Sequence, residues 1–337
     1  MAKGFALYLL LFSLFSFPAW SQTTNIERLN AVGDITRIAF GSCNDQNDPQ
    51  PLWQDLQKTN PDLFIWGGDV IYADWEASYN MAASYQKQLL HQDYLTFRSK
   101  TPIIGTWDDH DYAWDNADGT AMNKKASQKM FLDFLEEPET SMRRIQEGVH
   151  TAYDLGVEGR KIKVILLDNR YFKNLDPNYP ILGKTQWDWL ESQFKTSKAD
   201  LHFVVTGLPV FSPLIPYTEE WTENFKEVQR MLDLINKYKP KGIMFLTGDK
   251  HFAAISQNYG QLEFMSSGMT HVTQQRTWWY LGKKYPLTYF GLNYGLIDIS
   301  WQGSTPKLRL AIRGTSGRDI NPANFIWNKS KNKWDWL

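Results

Sequence analysis

The sequence predicts an α/β fold built on stacked sheets. Short apolar runs alternate with segments of helical spacing as far as residue 251, and from Leu262 onwards the pattern is that of strands. Of all residues, 42% are hydrophobic and 15% aromatic, which suffices for a large core and excludes a disordered chain. No repeat, low-complexity tract or linker interrupts residues 22–337, so we expect a single domain there.

Individual elements follow from the spacing of the apolar residues. In the first half, strands are predicted at 36–40, 62–66 and 101–104, and helices at 52–58, 84–97 and 124–135. In the second half, 148–155 and 161–167 resemble a hairpin, further strands are predicted at 201–207, 242–246, 296–301 and 307–312, and helices at 185–194 and 221–238. Continuous apolar runs such as Leu63–Trp66 are typical of strands that are buried on both faces.

The first residues are predicted to be a signal peptide. Lys3 gives a short basic start, Phe5–Phe17 is an apolar run, and Ala19 and Ser21 are small residues at the positions that precede cleavage. The alternative is a membrane anchor, but the run is short for a span and polar residues follow it at once. We therefore expect removal of residues 1–21, Sec-type export to the periplasm or the medium, and no transmembrane segment in the mature chain.

Charge and cysteine content narrow the function classes. The net charge of -1 provides no overall field that would attract nucleic acid or an anionic membrane, so anion binding has to come from a local site. Cys43 is the only cysteine, so an exported chain has no internal disulfide. Its thiol is either buried and inert or kept for a function.

Five predicted strands end in residues that can bind metals or transfer protons. These residues are Cys43, Asp69, the pair Asp108 and Asp109, Asp168, and Asp249. A glycine lies shortly before four of the five endings. Because ligand sites in α/β folds collect at the carboxyl ends of strands, we expect these side chains to meet.

The loop Asp108–Asp111 holds three carboxylates and an imidazole in four consecutive positions. The alternative is a solvated acidic loop, but Trp107, Tyr112 and Trp114 beside it favour burial. A half-buried acidic loop at the end of a strand is typical of a metal site or a catalytic acid.

Four residues are individual candidate ligands, and three of them have simpler alternatives. Asp69 can bridge two cations with its two oxygens. Tyr72 can bind a trivalent metal as a phenolate, although a packed tyrosine is the simpler interpretation. Cys43 is by default a small buried hydrophobic residue. His251 alone could be a core histidine, but with Asp249 two positions earlier it is a better metal candidate.

Charge balance supports metal binding. The candidate anions Cys43, Asp69, Tyr72, Asp108, Asp109 and Asp249 would carry about five or six negative charges if they converged. Two cations with a combined charge of about +4 or +5 would neutralise most of that charge and leave positions for a phosphate oxygen.

Five motifs together resemble those of the PhoD-like alkaline phosphatases, which belong to the calcineurin-like metallophosphoesterases. The motifs are Ile38–Cys43, Trp66–Asp74, Thr106–Tyr112, Leu167–Arg170 and Thr247–His251. Two positions differ from the wider superfamily. Its Asp-x-His is replaced by Ser42-Cys43, and the expected Gly-His reads Gly207-Leu208, so one imidazole of the second metal site is missing.

The resemblance implies a four-layer α/β/β/α sandwich and a centre of Fe(3+) and Ca(2+), with Zn, Mn and Mg not excluded. It assigns iron to Cys43, Asp69, Tyr72 and Asp249, makes Asp69 the bridge to calcium, and gives Asp109 and His251, with Asp108 nearby, to the second site. It further makes His110 a general acid or a phosphate contact that is oriented by Asp111. Arg170 and Asn44 are expected to contact the substrate.

Three hypotheses follow for the function. The first is an exported phosphoesterase that cleaves phosphate mono- or diesters by attack of a metal-bound hydroxide. The second is a phosphodiesterase of the phospholipase D type, or one acting on extracellular nucleic acid, with aromatic residues such as Tyr112, Trp114 and 278–280 stacking on the substrate. The third is a secreted calcium- and glycan-binding protein. Whether residues 272–286 form a lid stays open.

Overall fold

The computed structural model describes residues 23–76, 79–174, 180–212, 219–273 and 287–337. The predicted signal peptide lies outside these residues. The helices are α1 (Asn25–Asn30), α2 (Leu52–Thr59), α3 (Met81–Leu90), α4 (Gln92–Arg98), α5 (Asp109–Tyr112), α6 (Lys124–Phe134), α7 (Gly183–Thr196) and α8 (Phe225–Tyr238). Among the described residues, no helix is both long enough and apolar enough to span a membrane.

The strands are β1 (Arg37–Gly41), β2 (Leu63–Gly67), β3 (Ile103–Thr106), β4 (Thr151–Leu155), β5 (Ile162–Leu166), β6 (Leu201–Thr206), β7 (Ile243–Thr247), β8 (Ala253–Asn258), β9 (Gln261–Ser266), β10 (Leu287–Tyr289), β11 (Asn293–Gln302), β12 (Thr305–Gly314), β13 (Asp319–Asn328) and β14 (Lys333–Trp336). They form two seven-stranded sheets, in the orders β14-β13-β12-β11-β1-β2-β3 and β10-β8-β9-β7-β6-β5-β4. Strands β1, β2 and β3 are parallel in the first sheet, and β5, β6, β7 and β9 are parallel in the second.

The sheets pack face to face, with helices outside them. In β2, Leu63 and Ile65 belong to the core that both sheets share, whereas Phe64 and Trp66 belong to a second core under α2, α3, α4 and α6. Helices α7 and α8 pack on the second sheet. Because successive side chains of a strand point to opposite faces, buried strands with apolar residues on both faces need this layered arrangement. The predicted four-layer α/β/β/α sandwich is confirmed.

Two predicted helices differ from the structure by more than two residues at one end or are divided. The helix predicted at 84–97 is divided into α3 and α4 because His91 between them has an extended backbone, with φ of -61° and ψ of 118°. The helix predicted at 221–238 starts only at Phe225, after a short 3-10 turn at Trp221–Glu223. Neither difference moves a candidate site residue.

The carboxyl ends of the central strands of both sheets meet at one edge of the sandwich. Thr106 Oγ1, at the end of β3, donates to the carbonyl of Leu167 after β5 at 2.6 Å. Ser42 Oγ, after β1, donates to the carbonyl of Ser266 in β9 at 3.1 Å. The loops that follow these strands are therefore held against each other, which is where a ligand site of an α/β fold is expected.

Candidate metal centre

Four predicted ligands lie where the backbone is strained. Cys43, Asp69, Asp249 and His251 have φ values of 60°, 50°, 73° and 56°. This left-handed region is seldom adopted by residues with a Cβ atom. Such conformations persist only where the surroundings hold them, and they cluster at functional sites. The strain indicates that these turns serve the site rather than the packing of the sheets.

Donor atoms of five residues form a connected group on one side of the site. Cys43 Sγ lies 3.5 Å from Asp69 Oδ2, and Tyr72 Oη lies 3.4 Å from the same oxygen. Tyr72 Oη is also 3.2 Å from His251 Nε2, which is 3.3 Å from His271 Nε2. Sulfur, phenol oxygen and imidazole nitrogen together suit a transition metal. We call Cys43, Tyr72 and His251 the mixed-donor side.

The other side of the site is made of carboxylates. Asp69, Asp108 and Asp109 are buried and each offer an oxygen within 4.8 Å of the others. Asp108 Oδ2 and Asp109 Oδ1 have no hydrogen-bond partner in the described part of the chain. Buried carboxylate oxygens are costly unless a cation or a donor compensates them. We call Asp108 and Asp109 the carboxylate side, and Asp69 joins the two sides.

The electrostatics of these groups favour bound cations. Burial raises the pKa of Asp69 well above its usual range, and the charges of Asp109 and Asp108 raise it further. Burial also raises the pKa of Asp249 to about 7, because the neighbouring Lys250 offsets only part of the effect of burial and of the two carboxylates. Two cations would remove this repulsion. The residues present therefore fit the metal centre that the family resemblance implies.

His110 is held by Asp74. Its Nδ1 lies 2.7 Å from Asp74 Oδ1, and its ring lies 4.1 Å from the ring of Tyr72 between centroids. Burial lowers the pKa of His110, but the hydrogen bond with Asp74 and the charge of Asp109 outweigh burial and raise it. Its Nε2 lies 3.9 Å from Asp115 Oδ1. A histidine that a carboxylate orients through one nitrogen is typical of a proton donor.

The expectation that Asp111 orients His110 is wrong. The Asp111 carboxylate accepts hydrogen bonds from the backbone N–H of Val70 at 3.0 Å, from that of Ile71 at 3.3 Å, and from the Tyr85 hydroxyl at 3.2 Å. It therefore fixes the loop that follows Asp69 instead. Since α5 begins directly after Asp108, the chain turns away before Asp111 and points its side chain at that loop.

Arg170 is not placed to contact a substrate. Its side chain is fully buried, with Nε 2.5 Å from Asp108 Oδ1, Nη1 2.7 Å from Glu219 Oε2, and Nη2 3.6 Å from Asp109 Oδ1. The guanidinium thus lies behind the carboxylate side and compensates its charge from within the protein. The predicted contact of Arg170 with phosphate is therefore wrong, and Arg170 instead supports the candidate ligands.

Asn44 and Asp168 likewise have structural contacts. Asn44 is fully buried, and its Nδ2 donates to the carbonyl of Val70 at 3.2 Å and to Gln88 Oε1 at 2.9 Å, so the predicted substrate contact is wrong. The Asp168 carboxylate accepts from three backbone N–H groups, at 2.9 Å each, and fixes the turn that carries Arg170. Asp168 thus follows the strand-end pattern without joining the metal centre.

His251 and the aromatic residues also differ from expectation. The structure places His251 against Tyr72, on the side that the resemblance gave to iron rather than to the second site. Tyr112 is fully buried, so it cannot stack on a substrate, whereas Trp114 is 52% exposed. Residues 278–280, and the segment 272–286 except for Val272 and Thr273, lie outside the described residues.

Sequence reasoning missed three residues of the site. Asp74 lies within the quoted motif Trp66–Asp74, so its carboxylate was visible, but nothing in the spacing distinguished it from Asp111. His271 follows β9, so it fits the strand-end pattern when that pattern is continued beyond His251. Glu219, the partner of Arg170, follows no strand, and the sequence carries no signal for it.

The family model of the PhoD-like phosphatases matches residues 38–276 of the chain. No curated protein sequence matches the chain. A solved structure of PhoD is similar with a TM-score of 0.64 at 15% identity, over 91% of this chain and 72% of that chain. A dimetal phosphatase from Danio rerio has a TM-score of 0.58 at 10% identity, over 88% of this chain and 100% of its own. GAP50, the anchor in the inner membrane complex of Plasmodium, has a TM-score of 0.58 at 11% identity, over 88% and 91%.

Similarity to solved structures at this level of identity shows the fold alone, and an anchor protein is among the similar structures. The family match is the stronger finding because it spans well over half of the chain. The matched range also contains every candidate ligand from Cys43 to His271. The chain belongs to the PhoD-like phosphatase family and is a hydrolase that acts on phosphoric ester bonds.

Proposed function

We propose that the chain hydrolyses phosphate mono- or diesters at a centre of two cations. The single observation that supports this most is the position of Asp69. Its Oδ2 contacts Cys43 and Tyr72, while its carboxylate also lies within 4.8 Å of oxygens of Asp108 and Asp109. One carboxylate thus joins a mixed donor set to an all-oxygen set. A carboxylate in this position suits two cations that lie a few ångströms apart.

The two sides favour different metals. Thiolate, phenolate and imidazole on the mixed-donor side favour Fe(3+) or another transition metal, whereas the carboxylate side favours Ca(2+), Mg or Mn. Asp249 remains a candidate ligand of either side: it interacts electrostatically with Asp69 as well as with Asp108 and Asp109, and its Oδ2 lies 2.7 Å from Lys250 Nζ. When bound, the cations supply Lewis acidity, which activates water for attack and neutralises charge on the phosphate.

Side chains of the protein itself supply the proton for the leaving group. Asp74 fixes Nδ1 of His110, and on this proposal His110 passes the proton from Nε2 to the oxygen of the leaving group. Asp111 holds the loop of Asp69, and Arg170 compensates Asp108. Neither residue needs to touch the substrate.

Turnover assays on the purified chain test this proposal. We expect hydrolysis of p-nitrophenyl phosphate or bis(p-nitrophenyl) phosphate that stops after chelation and returns when metal is added. The ratio of the two rates separates a monoesterase from a diesterase. Lipid head groups and single-stranded nucleic acid extend the panel to the phospholipase D type and nuclease alternatives. A chain that binds calcium and glycans but turns over none of these esters would instead support the binding hypothesis.

Colour reports the identity of the metal on the mixed-donor side. If the Tyr72 phenolate binds Fe(3+), the pure protein should show a visible charge-transfer band, and Tyr72→Phe should lose that band. Tyr85→Phe is the matched control, because Tyr85 is a buried tyrosine that contacts Asp111 instead. Absorption spectra with iron analysis are the measurement. A colourless zinc protein with full activity would refute iron but not the hydrolase.

Export is tested at the amino terminus. We expect the mature chain to begin near Gln22, because Ala19 and Ser21 precede the predicted cleavage position. Sequencing the amino terminus of protein from the native host is the measurement, and Ala19→Arg should prevent cleavage, whereas the conservative Ala19→Gly should not. An intact Met1 on the native protein, or a cytoplasmic location, contradicts the prediction.

A further inference from the structure

His271 lies in the metal centre although none of the five motifs includes it. Its Nε2 is 3.3 Å from His251 Nε2, and the two rings meet edge to face at 78° with centroids 4.4 Å apart. It also packs edge to face against Tyr72, with centroids 4.7 Å apart. His271 therefore contacts two residues that the proposed function gives to the mixed-donor side.

Backbone hydrogen bonds fix the segment that carries His271. The N–H of Met269 donates to the carbonyl of Ser42 at 3.2 Å, and the N–H of Thr270 donates to that of Cys43 at 3.3 Å. On the other side of His271, the N–H of Thr273 donates to the carbonyl of His251 at 2.8 Å. The segment is thus attached to both loops that carry ligands. Its position is set by the centre rather than by a distant part of the fold.

The tautomer of His271 can be fixed by Thr270. His271 Nδ1 lies 3.0 Å from Thr270 Oγ1, and this hydroxyl also accepts from the N–H of Asp45 at 2.7 Å. The hydroxyl hydrogen can be donated to the Cys43 carbonyl, 3.5 Å away. Thr270 can then accept a hydrogen bond from Nδ1–H, which leaves the lone pair on Nε2 directed at the site. Metal-binding histidines are usually oriented through their second nitrogen in this way.

The position after β6 cannot supply a second imidazole. Leu208 stands there instead of the histidine of Gly-His, and its side chain is buried in the core that both sheets share. The histidine that contacts His251 lies after β9 instead.

We propose that His271 is a metal ligand and forms a pair of imidazole donors with His251 on the mixed-donor side. The inference rests on the proposed function, since it assumes that a metal binds there. Two nitrogen donors beside a thiolate and a phenolate favour a transition metal over calcium at this position. His271 is therefore expected to set metal identity and affinity rather than to bind the organic part of a substrate.

Metal binding by His271→Ala tests the inference without recourse to activity. We expect affinity for the transition metal, measured by competition with a chelator, to fall roughly 10–100-fold, as for other groups that tune a metal site. X-ray absorption should show about one imidazole nitrogen fewer per metal ion than in the wild type. Metal on the carboxylate side should be retained. His271→Gln keeps most of the side-chain volume and serves as the second variant in case His271→Ala disturbs the fold. It should show the same losses of metal affinity and of one imidazole nitrogen.

His202→Ala is the matched control for the loss of an imidazole. His202 lies near the start of β6, away from its carboxyl end, and contacts Ser197 and the carbonyl of Lys241. It should change neither metal affinity nor the imidazole count. Unchanged affinity and imidazole count in both His271 variants overturn the inference, as does normal metal binding with only a raised KM, which would make His271 a phosphate contact. A wild-type chain that binds metal and hydrolyses esters keeps the proposed function in either case.

Discussion

Asp69→Ala should lose bound metal and activity together. Asp69 is the residue that joins the mixed-donor side to the carboxylate side, so both cation positions lose a ligand at once. The fall in turnover should exceed the roughly 10²–10³-fold that follows removal of a single donor to a transition state. Metal analysis and steady-state kinetics on the same preparation measure both losses.

Stability distinguishes this loss from misfolding. The raised pKa of Asp69 means that its ionised carboxylate is unfavourable in the metal-free fold. Asp69→Ala should therefore unfold no more easily than the wild type in the presence of a chelator, and it should gain no stability from added metal. Asp188→Ala, which removes an exposed carboxylate of α7, is the control. The assignment is wrong if Asp69→Ala stays fully metallated and active.

The sequence predicted the fold because its strands are buried on both faces. A run such as Leu63–Trp66 is apolar at every position, so it needs a layer on each side, and the helices between such runs supply the outer layers. Helix bounds were less predictable. The break at His91 is a local change of backbone angle, and no proline or glycine beside it indicates the break in the sequence.

The sequence also placed Cys43, Asp69, Tyr72, Asp108 and Asp109 near one another, because the strand-end rule depends only on topology. It could not assign contacts within the cluster. Arg170 has the charge that suits a phosphate, but its burial against Asp108 is a property of the folded chain. Asp74 and Asp111 are both carboxylates of the five motifs, and only the folded chain shows that Asp74 contacts His110 while Asp111 contacts the loop after Asp69.

His110→Ala should lower turnover while metal content stays near that of the wild type. His110 contacts Asp74 and Tyr72 through its ring, and its backbone N–H lies 3.4 Å from Asp69 Oδ1, a contact that the substitution keeps. Loss of a general acid typically reduces kcat by roughly 10²–10⁴-fold. Asp74→Asn should reduce kcat in the same direction but less, by about 10–100-fold, because the imidazole remains and only its orientation suffers.

A comparison of esters with good and poor leaving groups distinguishes proton transfer by His110 from a structural role. A good leaving group such as p-nitrophenolate departs without a proton, whereas an alkoxide needs one from His110 Nε2. The loss in His110→Ala and Asp74→Asn should therefore be much larger for alkyl phosphates than for p-nitrophenyl phosphate. Asp111→Asn, which loosens the loop of Asp69, should lower both rates by a similar factor. Equal losses on both classes of ester in His110→Ala would show that His110 does not donate the proton and that its contribution lies in binding phosphate.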